Sequence, residues 1–264
     1  MKTHLLIIDP QIDFCDPNRG TLYVPGAEHD ITRLAEMLNN HSDQIDAVHV
    51  TLDSHHVFDI AHPVFWKDAE GAHPAPFTII HSADIEAGRW QPVKQELYER
   101  ALSYAKALES DGRYDLIIWP LHCLIGSEGH GISQPLFDAL KAWEAKGTPV
   151  NYVHKGENPL TEHYSAIKAE VPDPADPATQ PNTALLASLK DADTILIAGE
   201  AASHCVANTV RDIAAAFGSP EAIRKIVLLT NATSPVTGFE GLAEKFVQDL
   251  KAMGMRTSTT AEWV

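Results

Sequence analysis

A chain of 264 residues, 44% of them hydrophobic, is long enough to bury a substantial core, and its formal charge of −16 argues against nucleic acid or an anionic membrane surface as partner. Three widely spaced cysteines (Cys15, Cys123, Cys205) make no disulfide framework and fit a reducing compartment. The apolar run after Met1 is cut by Asp9, too early for a signal peptide, and no apolar stretch is long enough to span a bilayer, so a cytoplasmic protein is expected.

In chain order, short apolar runs predict strands at 5–8, 47–52, 116–119, 150–154, 194–198 and 225–229. Amphipathic stretches predict helices over 30–40, 90–109, 135–146, 205–217 and 238–253. Such alternation is the pattern of an α/β fold: a three-layer α/β/α sandwich around a mostly parallel six-stranded doubly wound sheet. The chain, 1–264, reads as one domain with a long excursion at about 65–114. That excursion carries Phe65, Trp66, Phe77 and Trp90 and is placed to shape a pocket near the strand ends. The proline-rich stretch 171–181 reads as surface loop.

Ligands in sheets of this kind bind beyond the carboxyl ends of the strands, and the chemistry-bearing residues fall there. Cys205 opens a helix just after the strand 194–198, where backbone N–H groups and the helix dipole favour thiolate over thiol. A thiolate so placed is a nucleophile, and the amides beside it can hold an oxyanion. A lone cysteine is by default a small buried hydrophobe, so its companions carry the weight. Asp9 closes the first strand and can take a proton from a thiol, although Asp before Pro is also a common turn residue. Lys155 ends the fourth strand, where it can offset the charge on sulfur; alone it would read as a solvated edge charge. The three are expected on neighbouring strands.

A second cluster follows the second and third strands: Asp53, His55, His62 and, in Trp119-Pro-Leu-His-Cys123, His122. Aspartate with two or three histidines suits one divalent transition metal, zinc first, with iron or manganese as alternatives, whereas calcium or magnesium would want more oxygen. With 14 histidines in the chain, chance clustering is the competing reading.

Taken together, these residues resemble the nicotinamidase (pyrazinamidase) branch of the isochorismatase-like cysteine hydrolases, from Asp9 to about Leu229 and in order. The matching segments are Asp9-Pro-Gln-Ile-Asp-Phe14, Asp53-Ser-His55, Trp119-Pro-Leu-His-Cys123, Lys155 with the later Tyr164-Ser-Ala166, and Gly199 to Val206. The resemblance implies the isochorismatase-like hydrolase fold and a cysteine amidohydrolase acting on nicotinamide or a related small amide, with a place in pyridine nucleotide salvage. Cys205 would be the nucleophile, Asp9 the general base and acid, and Lys155 the charge-stabilising group. A cis peptide at Glu200–Ala201 would present the N–H groups of Ala201 and Cys205 as the oxyanion hole. Asp53, His55 and His122 would bind the metal, with His62 a less secure fourth ligand, while Phe14 and Trp119 would flank a flat ring. A small-molecule partner and a homo-oligomer are implied, with no nucleic acid and no membrane.

Glu200 and Ser203 depart from the family's usual residues: Glu200 would bind a polar or cationic substrate group or face solvent. Three other readings stay open: a larger amide as substrate, a metal-bound hydroxide as nucleophile, and a silent ligand-binding member. Blander readings apply elsewhere. Cys15 and Cys123 read as packed thiols and Asp13 as a turn or ion-pair residue, while His154 alternates to the face opposite Lys155. Glu86 is an outside metal candidate, and His204 sits near the rim without a role.

Overall fold

The apolar run Thr3–Ile8 (β1) is buried at every position, the mark of a parallel strand covered on both faces. The computed structural model describes residues 1–111 and 113–263. Beside β1 lie Ala47–Asp53 (β2), Asn151–Lys155 (β3), Thr194–Gly199 (β4), Ile226–Leu229 (β5) and Arg256–Ser258 (β6). They form one six-stranded sheet in the order β6-β5-β4-β1-β2-β3, with every pair parallel. The chain starts in the middle, winds outward through β2 and β3, then returns to the other side of β1. The order therefore reverses between β1 and β4, and a crevice opens beyond their carboxyl ends.

Helices cover both faces. Ala27–His41 (α1) packs on Gln134–Glu144 (α3), while Cys205–Phe217 (α5) packs on Thr183–Asp191 (α4) and Glu240–Ala252 (α6). Asn182 caps α4 by accepting the Leu185 N–H, and Gly218 in a left-handed conformation ends α5. Among the described residues, no helix is long and apolar enough to cross a membrane.

Three sequence expectations need correction. The run 116–119 is not in the main sheet: Leu116–Ile117 pairs antiparallel with Ile79–Ile80, and Pro120 ends the apolar run without an N–H. The sixth strand is β6 instead, a short polar edge strand that pairs on one side only and so lacks the apolar signature of a central strand. The helix expected over 90–109 begins at Tyr98 and runs to Asp111 (α2), because Gln91–Pro92 is a strand paired with Trp66–Lys67. Finally, β3 neighbours β2 and not β1, so Lys155 must reach across a strand to meet Asp9.

The excursion has a core of its own. Phe65, Trp66, Ile80, Ile85, Tyr104, Leu108 and Leu116 form a buried cluster separate from the main core. Trp66 Nε1 donates to the Ile60 carbonyl at 2.7 Å, tying the excursion to the segment after β2.

Candidate active site

At the end of β1, Asp9 turns out of the sheet with φ of 44°, a left-handed conformation that aspartate tolerates better than most residues. Its side chain is fully buried. Oδ1 accepts from Thr51 Oγ1 on β2 at 2.5 Å, and the Asp9 N–H donates to the same hydroxyl at 3.0 Å. Oδ2 stands 2.9 Å from Lys155 Nζ as an ion pair, off the axis of a hydrogen bond.

Lys155, the last residue of β3, lies opposite Asp53 in the register. Its buried Nζ donates to Asp53 Oδ1 at 2.9 Å and to the His163 carbonyl at 3.0 Å, and lies 3.7 Å from Cys205 Sγ. Burial works against this charge, but the Asp53 and Asp9 carboxylates outweigh it and hold the ammonium pKa well above the lysine norm.

Cys205 is the first residue of α5 and is buried. Burial pushes its thiol pKa well above the ordinary value; Lys155 pulls the other way, and the Asp9 and Asp53 charges add to the rise. Burial thus favours the thiol at Cys205, and the helix start does not by itself make a thiolate. Burial raises the Asp9 pKa as well, with Lys155 opposing. The Glu200–Ala201 peptide bond is cis, and neither the Ala201 nor the Cys205 N–H is taken by a backbone acceptor in the turn. Gly199 makes the approach possible: a Cβ there would lie 2.0 Å from the Ile8 carbonyl oxygen.

Asp53, His55 and His122 are buried and offer ligand atoms within 4.8 Å of one another. His55 Nδ1 is bonded to Asp59 Oδ2 at 3.0 Å, and His122 Nδ1 to the Pro120 carbonyl at 2.8 Å. Each ring thereby keeps Nε2 for the cluster, and both Nε2 atoms converge on Asp53 Oδ2, at 3.1 and 3.4 Å. Gln11 fixes the aspartate backbone, donating to the Asp53 carbonyl at 2.7 Å and accepting its N–H at 2.8 Å. Glu162 is buried beside them, with Oε1 4.0 Å from His55 Nε2 and Oε2 without a hydrogen-bond partner among the described residues. One carboxylate and two oriented imidazoles, with a second carboxylate in reach, fit a divalent transition metal.

His62 lies against both imidazoles, ring centroids 5.1 and 5.4 Å away, but outside the converging group. Its Nδ1 bonds the His56 carbonyl, and burial brings its pKa down to about 4. Glu86 is a surface residue paired with Lys106, so Glu162 is the extra carboxylate and Glu86 is not.

A narrow slot joins the two clusters, lined by Phe14, Leu22, Trp119, Tyr164, His204 and Val236 together with Asp53, His122, Glu162, Ala201 and Cys205. Its cavity is about 30 Å³, room for water-sized groups only, so anything larger must part the side-chain walls. A larger groove of about 480 Å³ beside α6 holds none of these groups. Trp119 Nε1 donates to Tyr164 Oη at 3.0 Å, locking two walls together. His204 is not at the rim: it is buried, stacked on Tyr114, and burial brings its pKa down to about 3. From the excursion, Phe77 sets its ring edge-on to Trp119 at 5.9 Å. Glu200 neither meets the slot nor faces solvent; it is buried on the α1 side, accepting the Ser234 N–H at 3.0 Å. His154 is exposed, as alternation predicts, and Cys15 and Cys123 are buried thiols. Asp13 forms no ion pair among the described residues and instead accepts the Cys123 N–H.

Leu22, Glu162, Tyr164, His204 and Val236 were not assigned to the slot from sequence. Tyr164 and His204 lay inside matched segments, so their signal was present without a role attached.

No protein-family model and no curated protein matches the sequence. Solved structures do. The yeast nicotinamidase Pnc1p is 21% identical over 97% of this chain and 98% of its own, with a TM-score of 0.67. Pnc1p bound to the inhibitor nicotinaldehyde gives 20% identity over 97% and 99%, with a TM-score of 0.68. A pyrazinamidase of Pyrococcus horikoshii in complex with zinc is 17% identical over 98% and 99%, with a TM-score of 0.59. This chain shares the fold of these nicotinamidase and pyrazinamidase structures, a six-stranded parallel sheet covered by helices.

Proposed function

We propose that this protein is a metal-containing cysteine amidohydrolase that converts nicotinamide, or a closely related small aromatic amide, to the acid and ammonia. The observation that carries this reading is the placement of Lys155 Nζ, 2.9 Å from Asp9 and 3.7 Å from Cys205, where Cys205 lines an aromatic slot that Asp53 and His122 of the Asp53–His55–His122 cluster also line. The likeness to structures described as nicotinamidases and pyrazinamidases supports it.

In this reading Asp9 takes the Cys205 thiol proton as the sulfur attacks the amide carbon, which lets two groups that both hold protons tightly exchange one without a charge leaving the site. The oxyanion forms against the N–H groups of Ala201 and Cys205, and Lys155 offsets the charge that develops on sulfur as its proton leaves. Asp9 returns the proton to the departing amine, ammonia leaves, and a thioester remains. Water deprotonated by Asp9 then adds to the thioester, and the thiol is regenerated as the acid departs. A divalent metal, zinc by preference, held by Asp53, His55 and His122 would supply a Lewis-acid contact for a ring nitrogen of the substrate. Phe14, Trp119 and Tyr164 would hold the ring flat.

The test is ammonia release from nicotinamide by purified protein, with Cys205→Ala as control. Release that the variant abolishes supports the reading. Equal release by the variant removes the cysteine from the chemistry, and no release by either removes nicotinamide as substrate.

A further inference from the structure

Glu200 is the residue just before the proposed oxyanion donor Ala201, and it is completely buried. One carboxyl oxygen, Oε2, accepts the Ser234 N–H at 3.0 Å. The other, Oε1, has no donor partner among the described residues. The carboxyl of Asp30 on α1 lies within hydrogen-bonding reach. Asp30 itself is tied down: Oδ2 accepts from Ser234 Oγ at 2.6 Å and Oδ1 from Arg33 at 2.5 Å. Ser234 closes the loop, because its carbonyl accepts the Ala202 N–H at 2.8 Å. The turn 199–205 is thus fastened to Ser234 through one side chain at Glu200 and one backbone bond at Ala202, beside the Gly199 N–H bond to the Ala232 carbonyl and the Ser203 hydroxyl that accepts the Val236 N–H.

We propose that Glu200 is a positioning residue: its carboxyl, shared between Ser234 and Asp30, holds the Ala201 N–H where the oxyanion of the reaction forms. The inference rests on the amidohydrolase reading for its catalytic half, and on the hydrogen bonds that join Glu200, Ala202 and Asp30 to Ser234 for the clamp. Two carboxyls in contact inside the protein are satisfied only if one of them carries a proton and donates it to the other. Burial, then the Asp30 charge, pushes the Glu200 pKa well above the ordinary value, with the Ser234 N–H opposing. The groups facing it are Asp30, Glu28 and Arg33 on α1, and the Cys15 thiol after β1. None of them is a cation in direct contact with the Glu200 carboxyl, so ionisation would leave two adjacent buried charges with only Arg33, on the far side of Asp30, to offset them.

The sign follows from linkage. An acid whose folded pKa is raised keeps a proton that the unfolded chain gives up above about 4.5, so its contribution to stability shrinks as pH rises toward the folded value. Glu200→Gln keeps the shape and the acceptor for Ser234 but cannot ionise. Glu200→Ile removes the clamp.

The experiment compares kcat, KM, melting temperature and backbone hydrogen exchange over residues 199–206 in wild type and both variants between pH 5 and 10. The expected result is a Gln variant whose kcat and melting temperature, relative to wild type, climb steadily with pH. The Ile variant should show faster exchange at 199–206 and a lower kcat at little-changed KM, approaching the roughly 10²-fold cost of losing an oxyanion donor. Parallel pH profiles for wild type and Gln, with exchange unaltered in Ile, overturn the clamp. If the Ile variant does not fold, the Gln comparison decides alone. Absence of ammonia release from wild type would refute the nicotinamidase reading, while melting and exchange would still decide whether the clamp exists.

Discussion

Asp53 and Lys155 are partners twice over: they face each other in the β2–β3 register, and their side chains meet again at 2.9 Å. Asp53 Oδ1 holds the lysine that lies beside the sulfur, and Oδ2 faces the two histidines of the candidate metal cluster. One carboxylate therefore belongs to both halves of the site. Replacing Asp53 by Asn should lower metal content and also free Lys155 from one of its two carboxylates. Metal analysis of the purified variant, set beside its turnover with metal restored in excess, checks this. Full recovery of turnover by added metal would show that the Lys155 link is idle.

Among the described residues, Lys155 is the only lysine or arginine paired with both Asp9 and Asp53. Lys155→Ala should abolish turnover and destabilise the fold by about 3–5 kcal/mol, the usual cost of stranding a buried charge. Denaturant unfolding measures it, and a loss below about 1 kcal/mol would mean that the carboxylates find another partner or pick up protons cheaply.

The thiol should behave as a high-pKa group. Alkylation of Cys205 by iodoacetamide is expected to be slow at neutral pH and to accelerate only above the ordinary thiol range, because burial raises the pKa and the Asp9 charge adds to it. Asp9→Asn removes that negative charge, so its alkylation midpoint should move down in pH even as amide hydrolysis is lost. A midpoint that stays put or rises would contradict the pairing of Asp9 with the sulfur.

At the far end of the sheet, His49 is buried against His4, and burial, with His4 adding to it, brings its pKa down to about 4. The unfolded chain binds a proton there below about 6.5, so stability should fall as pH drops from about 6.5 toward 4. Melting of His49→Gln against wild type tests this: the variant should lose less on acidification, and identical pH slopes would exclude His49 as a source.

Phe77 is half-exposed, with a positive φ of 68°, and its ring meets the outer side of Trp119. An aromatic pair of this kind is worth about 0.5–1.5 kcal/mol, so Phe77→Ala should cut the preference for nicotinamide over a ring-substituted analogue by about 2- to 10-fold in kcat/KM. Its melting temperature should barely move. An unchanged preference would leave the excursion without a say in substrate choice.

The central strands and the order of the candidate catalytic segments were legible because both are local. A doubly covered strand such as β4 must be continuously apolar, and Asp9 and Cys205 each follow such a run, whereas Lys155 ends a half-exposed edge strand. What sequence hid was set by distance along the chain. β6 is polar and short, so only its partner β5 reveals it. Glu162 becomes a neighbour of the metal cluster only through the fold of the loop after Lys155. The thiol's high pKa depends on Asp9, far upstream, and on burial that a helix start does not report.

The excursion's private core has an evolutionary reading. Its cluster around Trp66 and Tyr104 shares none of its buried members with the sheet's core, yet the same excursion delivers Phe77 to the slot wall. On the proposed function, mutations along this appendage would retune which amides are admitted while Asp9, Lys155 and Cys205, anchored on β1, β3 and α5, stay fixed. Selection would then act on taste and on chemistry separately.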